Sequence, residues 1–239
     1  MAISTPTPDP ELIVERFLEV LVSGDRPAAR RSVNALQTNG FTPKQIITDV
    51  FWPAHERIGS LYRADQLSLL SHRLATRLLR ALADQTASQL VIPPASDRSV
   101  FACCGPDEHD ELGAQIAVDI LEAEGFPVTF AAGGVPTDEV LSHVHSTKPD
   151  ILLLFCSAPA DLPGIRAIID DLREINATPN TQIAVGGGVF NRAEGLAEEI
   201  GADIWAANPL ELIESLVEEP ERRMFPEQRT VGRTRRKAA

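Results

Sequence analysis

Five short apolar runs alternate with helical segments in the second half of the chain, and this alternation limits the fold more than any other feature. The runs are Ser99–Cys104, Pro127–Ala131, Ile151–Cys156, Gln182–Val185 and Ala202–Trp205. Strands that alternate with helices form a parallel sheet with crossover helices on its faces. We therefore predict an α/β domain with a five-stranded, doubly wound parallel sheet over residues 99–218.

Four amphipathic segments precede this region. Asp9-Pro10 and Thr42-Pro43 each combine a capping residue with a proline, which is typical of a helix start. The fourth segment, from about Gln66, carries a leucine stripe made of Leu67, Leu70, Leu74, Leu78 and Leu82. We predict a four-helix bundle over residues 8–89, in which Pro53 bends the third helix.

Charge separates the two ends of the chain. The formal net charge is −12, but residues 221–239 hold seven Arg and Lys against two Glu. We expect residues 90–98, with two consecutive prolines, to form a linker and residues 219–239 to form a basic, disordered tail. The acidic body disfavours nucleic-acid binding except through that tail. No apolar run is long enough for a membrane span, so we expect a cytoplasmic protein without membrane contact.

The loops after the predicted strands hold the candidate site residues. In a parallel sheet these loops meet at the edge formed by the carboxyl ends of the strands, where ligands bind. The first loop, Gly105 to Gly113, carries His109 among acids that include Asp107 and Glu108. A neutral imidazole is a common metal ligand, although a histidine among acids is also typical of a solvated surface.

Two further loops carry small residues. Ser157 follows the third run, and Gly186, Gly187 and Gly188 follow the fourth. Glycines let a backbone approach a ligand closely, but they also form tight turns, and both interpretations stay open. The glycines match neither the dinucleotide fingerprint nor a P-loop, and Ser157 lacks the nucleophile elbow of hydrolases. The spacing of the three cysteines matches no zinc site.

Taken together, these features resemble the cobalamin-binding modules of corrinoid methyl-carrier proteins, methionine synthase and B12-based light-responsive regulators. The resemblance covers about residues 10–218 and is closest at Val185-Gly-Gly-Gly-Val-Phe190. It implies a helical bundle on a flavodoxin- or Rossmann-like sheet, with cobalamin bound as its adenosyl, methyl or hydroxo form. In that family a histidine replaces the dimethylbenzimidazole base of the cofactor as lower cobalt ligand.

Carried over residue by residue, the resemblance makes His109 the cobalt ligand and Asp107 its carboxylate partner. Ser157 and the loop Gly186–Gly188 would hold the nucleotide tail of the cofactor. The first loop departs from the family pattern Asp/Glu-x-His-x-x-Gly, because Gly113 follows His109 one residue late. Aligned on Gly113, the histidine position holds Asp110 and the acid position holds Glu108. Because of this departure, heme remains an alternative to cobalamin as the cofactor.

The helical half resembles the upper-face segment of the light-responsive regulators. That segment has a Trp, nine residues and then Glu-His, whereas this chain has Tyr62, nine residues and then His72-Arg73. Tyr62 and His72 are therefore candidate cofactor contacts, with ordinary packing as the alternative for His72.

We predict from these features a cobalamin-binding sensory regulator, in the manner of a photoreceptor that controls transcription. It would lack its own DNA-binding domain and act on a protein partner or through self-association, as a binding protein rather than an enzyme. The alternatives are a corrinoid methyl-carrier subunit, with a methyltransferase as its partner, and a heme-binding sensor on the same fold.

Overall fold

The structure, a computed structural model, describes residues 10–224. The chain forms two compact units, one that extends to Val91 and one that starts at Ile92. The predicted cap Asp9 and residues 225–239 of the predicted tail lie outside the described residues. Within residues 10–224, no helix is long and apolar enough to cross a membrane.

The first unit is helical, as predicted. Its elements are α1 (Pro10–Ser23), α2 (Arg26–Thr38), α3 (Pro43–Ile46), a π-helical turn (Ile47–Phe51), α4 (Trp52–Arg63) and α5 (Leu69–Ala87). Side chains cap the N-termini of several of these helices. Thr42 and Gln45 form a capping box at α3, and the side chain of Asp25 accepts the backbone N–H of Ala28 at 2.9 Å.

The predicted irregularity at Pro53 takes the form of the π-helical turn between α3 and α4. The backbone N–H of Trp52 donates to the carbonyl of Ile47, five residues earlier. A proline has no N–H and its ring crowds the carbonyl four residues before it, so the ordinary α-helical pattern cannot continue there. The wider π turn lets the helix pass this position.

The predicted leucine stripe on α5 is only half buried, which corrects the sequence analysis. The helix starts at Leu69 behind the cap Ser68, not at Gln66, and Leu70 and Leu74 are 69% and 42% exposed. Four-residue steps exceed the 3.6-residue helical repeat, so such a stripe winds around the helix. Only its later members Leu78 and Leu82 face the core.

The second unit confirms the predicted sheet. Its strands are β1 (Val100–Cys104), β2 (Val128–Gly133), β3 (Ile151–Phe155), β4 (Gln182–Gly186) and β5 (Ile204–Ala206). All neighbouring strands are parallel, in the flavodoxin-like order β2-β1-β3-β4-β5. The helices are α6 (Glu108–Ala123), α7 (Thr137–Thr147), α8 (Leu162–Ile175), α9 (Gly188–Arg192), α10 (Leu196–Ile200) and α11 (Pro209–Glu218), with a 3₁₀ turn at Pro159–Asp161.

Alternate side chains of the central strands are buried on opposite faces of the sheet. Leu152 and Leu154 pack with Ile169 of α8 on one face, whereas Ile151 and Leu153 pack with Leu121 of α6 on the other. Because both faces are covered, each central strand is a continuous apolar run in the sequence.

The opposite edge of the sheet, at the amino ends of the strands, holds the end of the described chain. Gln182, the first residue of β4, is fully buried, and its Nε2 donates to the carbonyls of Glu219 and Arg222 at 2.9 and 3.2 Å. Asp203, just before β5, accepts the backbone N–H of Met224 at 2.7 Å. Residues 219–224, which the sequence analysis placed in the tail, are thus bound to the sheet.

Candidate functional site

Helix α6 starts earlier than the sequence indicates, which changes the setting of His109. The loop after β1 is only Gly105 to Asp107, because Asp107 caps the helix and its Oδ1 accepts the backbone N–H of His109 at 2.8 Å. The acidic run that follows is typical of a first helical turn, where carboxylates interact favourably with the helix dipole. The predicted ligand loop from Gly105 to Gly113 is therefore mostly helix.

His109 lies in the first turn of α6 and is 8% exposed, which is inconsistent with a solvated surface histidine. The described bond of Asp107 to this residue goes to its backbone rather than to its imidazole. The role of Asp107 as carboxylate partner of the ring thus stays a prediction. Glu108 is half-buried at the first position of the helix, and Gly113 is buried further along it.

Asp110 is a site residue that the sequence analysis named only through the alignment on Gly113, without its contacts. Its side chain is 2% exposed, and its Oδ2 accepts the backbone N–H of Ser157 at 2.9 Å. Burial raises the pKa of Asp110, the hydrogen bonds from the Ser157 hydroxyl and backbone lower it, and the charges of Asp107 and Asp161 raise it again. The sequence signal was the alignment on Gly113, which places Asp110 at the histidine position of the family.

Ser157 connects three of the predicted loops. Besides its bonds to Asp110, its Oγ accepts the backbone N–H of Gly188 at 3.3 Å. Its carbonyl accepts a bond from Nη2 of Arg192 at 2.6 Å. The loops after β1, β3 and β4 are therefore joined at the carboxyl ends of the strands, as the sequence analysis expected.

The glycine loop forms a tight turn packed against β3. Gly187 has φ +105°, and a Cβ at this position would lie 2.2 Å from the carbonyl oxygen of Cys156. Gly186 is the last residue of β4 and Gly188 the first of α9. Gly187 is therefore required by the turn itself, and a role of these glycines in holding a nucleotide tail stays a prediction.

A cavity of about 250 Å³ opens between the carboxyl ends of β1 and β3 and the helices α7 and α8. Its walls include Cys104, Leu154, Phe155 and Ile165. The strand order reverses between β1 and β3, and ligands of open α/β sheets bind at this reversal. The cavity is thus placed where an organic ligand can enter the sheet edge.

One wall of this cavity carries Asp161, which the sequence analysis did not name. Its Oδ2 lies 2.7 Å, and Oδ2 of Asp110 lies 3.0 Å, from the point where a Cβ on Gly105 would stand. A side chain at Gly105 would displace both carboxylates. Gly105 therefore allows two acids from distant parts of the chain to approach the loop after β1.

In the helical unit, Tyr62 and His72 form a stacked pair. Their ring centroids are 4.2 Å apart and the ring planes differ by 25°. His72 is buried and Tyr62 is partly exposed. The structure thus brings these two predicted residues together, and their contact with a cofactor stays a prediction.

The side chains at this site fit a metal that arrives within a macrocycle. In residues 10–224, no group of three or more His, Cys, Asp and Glu side chains could hold a metal ion. A macrocyclic cofactor supplies its own equatorial ligands, so that a single histidine on the protein is enough. A buried His109, in the helix that follows a loop lining the cavity between β1 and β3, fits such a cofactor.

Comparison with known proteins identifies the cofactor. Two family models, each described as a B12 binding domain, match residues 98–214 and residues 13–85. Dimethylamine corrinoid protein 1 of Methanosarcina acetivorans is 25% identical over 72% of this chain and 80% of its own length. The trimethylamine corrinoid protein of Methanosarcina barkeri is 23% identical over 82% of this chain and 90% of its own length.

A solved structure shows the same fold. The monomethylamine corrinoid protein of Methanosarcina barkeri superposes with a TM-score of 0.76 and 18% identity, over 88% of this chain and 99% of that one.

These findings correct one prediction and confirm another. The light-responsive transcription regulator is wrong as a function, because the relatives found are methylamine corrinoid proteins. Cobalamin is confirmed as the cofactor, since B12 is named for both halves of the chain. The chain belongs to the family of proteins built from B12-binding domains.

Proposed function

We propose that this protein is a corrinoid methyl carrier, the subunit of a methyltransferase system that moves methyl groups between partner enzymes. The observation that carries the proposal is the similarity to the dimethylamine and trimethylamine corrinoid proteins over most of the chain. The cobalt of bound cobalamin supplies the chemistry, because it accepts and releases methyl groups. The protein itself then needs no acid, base or nucleophile of its own.

In this proposal the residues at the carboxyl edge hold and orient the cofactor. His109 would hold the cobalt, and its backbone is fixed by the first turn of α6 and the cap Asp107. Ser157 and Gly188 fasten that turn to the neighbouring loops through Asp110. Ser157 and the loop Gly186–Gly188 would hold the nucleotide tail of the cofactor.

The expected partners are methyltransferases that donate and accept the methyl group. A carrier must expose its cofactor to two enzymes in turn, so the cobalt must remain accessible to reagents from outside the protein. Tyr62 and His72 are candidate contacts of the cofactor.

Accessibility of the cobalt can be tested directly. The protein is loaded with hydroxocobalamin, freed of excess cofactor by gel filtration, reduced with titanium(III) citrate and exposed to ¹⁴C-labelled methyl iodide. We expect the protein fraction to contain equal amounts of label and corrinoid. Free cobalamin treated in the same way is the positive control. A loaded protein that takes up no label while the free cofactor does would overturn the carrier function.

A further inference from the structure

The helices α1 and α2 enclose a groove of about 210 Å³ on the helical unit. Most of its lining is apolar, with Leu12, Ile13 and Phe17 from α1 and Ala35 and Leu36 from α2. Phe17 and Leu36 are buried, whereas Leu12 is 39% exposed. The groove thus presents apolar surface that residues 10–224 leave uncovered.

Four arginines without partners lie on the same two helices. Arg16 lines the groove, and α2 carries Arg26, Arg30 and Arg31 as exposed residues. None of the four forms a side-chain hydrogen bond or an ion pair within residues 10–224. The acids of α1 do not belong to the described lining of the groove.

The arginines of α2 do not stabilise their own helix. Arg26 is the first residue of α2, where a cation interacts unfavourably with the helix dipole. Residues 26–38 hold three Arg and no Asp or Glu, although the chain as a whole has a formal net charge of −12. Unpaired cations beside an apolar groove favour a ligand that is both apolar and anionic.

One class of ligand satisfies both features. A groove between two helices accommodates the apolar face of an amphipathic helix, and arginine pairs with carboxylates through two parallel hydrogen bonds. A nucleic acid has no apolar side chains to fill the groove. The net charge of −12 also repels phosphate polymers and a second copy of this chain.

We propose that the groove between α1 and α2 docks an acidic amphipathic helix of a protein partner. Apolar side chains of that helix fill the groove, and its carboxylates pair with Arg16 and with Arg31, which lies one helical turn before Ala35. The inference rests on the proposed function for the class of the partner, a methyltransferase.

A pair of synthetic peptides provides the probe. One peptide of about 18 residues, or five helical turns, carries leucines on one face and glutamates elsewhere, and the second has lysines in place of the glutamates. Both are labelled with fluorescein and titrated with the cobalamin-loaded full chain, and binding is followed by anisotropy. For the unaltered protein we expect the glutamate peptide to bind about tenfold more tightly than the lysine peptide.

Variants locate the binding. Arg16→Glu and Arg31→Glu should each weaken binding of the glutamate peptide about fivefold, and Ala35→Glu, which adds a carboxylate to the groove, should weaken it as well. Arg57→Glu is the matched control, because it reverses the charge of another exposed, unpaired arginine on α4. Its affinity for the peptide should equal that of the unaltered protein.

Several results would overturn the inference. They are a glutamate peptide that fails to bind or binds no better than the lysine peptide, and a loss in Arg57→Glu equal to that in Arg16→Glu. A dimer that Ala35→Glu dissociates would make a second copy the occupant. Peptide binding that appears only after deletion of residues 1–9 would make that segment the occupant. Phosphatidylglycerol vesicles or single-stranded DNA that bind through Arg16 where the peptide does not would identify a different anion.

Methyl uptake by the bound cobalt separates docking from the carrier function. Arg16→Glu should load with cobalamin and take up labelled methyl as the unaltered protein does. Label uptake without peptide binding would overturn the docking site alone. Peptide binding without label uptake would support the docking site and overturn the proposed function.

Discussion

Oδ2 of Asp110 accepts the backbone N–H of Ser157 at 2.9 Å, and this bond joins the first turn of α6 to the loop after β3. Because Asp110 follows His109 directly in the chain, the bond also restrains the residue proposed to hold cobalt. The buried carboxylate of Asp110 thus helps to hold the first turn of α6 in place.

Replacement of Asp110 should therefore weaken the fold. In Asp110→Ala the partly buried N–H of Ser157 loses its buried acceptor, and we expect the free energy of unfolding to fall by about 2 kcal/mol. Denaturant titration followed by circular dichroism measures the change. Asp138→Ala, an exposed acid in the corresponding turn of α7, should change stability by less than about 0.5 kcal/mol. Equal effects of the two substitutions would show that the bond to Ser157 contributes little.

His109→Ala tests the metal ligand. If His109 binds cobalt, the spectrum of the hydroxocobalamin-loaded variant should lose the histidine-coordinated form and the cofactor should dissociate more readily. His143→Ala is the control, since His143 packs on Phe101 with ring centroids 4.3 Å apart. We expect its spectrum to match that of the unaltered protein. An unchanged spectrum in His109→Ala would exclude this residue as the ligand.

Two glycines with left-handed backbone differ in the space around them. A Cβ on Gly187 would meet the carbonyl oxygen of Cys156 at 2.2 Å, whereas a Cβ on Gly134 meets nothing within 4 Å. Gly134→Ala should thus cost only the strain of its backbone, about 1 kcal/mol. Gly187→Ala must also displace the backbone of Cys156, directly after β3, and we expect a loss above about 3 kcal/mol or failure to fold. Thermal unfolding of both variants measures this difference. Equal melting temperatures would contradict it.

The cysteines should differ in reactivity. Burial raises the pKa of the Cys103 and Cys156 thiols to about 12 in each case, and Cys104 is half-buried. Only thiolates are alkylated, so iodoacetamide at pH 8 should label Cys104 before the other two. Mass spectrometry of timed samples gives the order, and labelling in denaturant provides the reference. Rapid modification of Cys103 in the folded protein would contradict its burial.

The same pKa shifts predict the pH dependence of stability. A thiol with a raised pKa holds its proton more tightly in the folded state. Its contribution is therefore complete below the unfolded value of about 8.5 and is lost as the pH rises toward 12. Cys103→Ala should reduce the fall in the free energy of unfolding above pH 9. Parallel denaturant titrations at pH 7 and pH 10 measure the difference.

The strands could be predicted from the sequence because strands buried on both faces are continuous apolar runs. Each predicted run overlaps one strand of the structure, and the ends differ by a few residues at most. The start of α6 was predicted too late, because Gly105-Pro106 and the acids after it indicate a loop as readily as a capped helix. Local sequence patterns thus predict the presence of an element more accurately than the residue at which it begins.

The polar contacts of the site could not be predicted in the same way. Asp110 and Ser157 are separated by 47 residues, and no local pattern shows that one will accept a bond from the other. Asp161 approaches them only because Gly105 has no side chain. Such contacts depend on the packing of whole elements, whereas the position of His109 near a strand end follows from topology alone.

The hydrogen bonds of Gln182 and Asp203 to residues 219–224 determine how short a working fragment of the α/β unit can be. A fragment that stops at residue 214, where the match to the B12-binding model ends, or at residue 218 would lose the bonds to Glu219, Arg222 and Met224. Gln182 would then be buried with fewer acceptors. The boundary of a family match and the boundary of a stable fragment therefore differ by several residues in this protein, and expression of the isolated unit should extend at least to Met224.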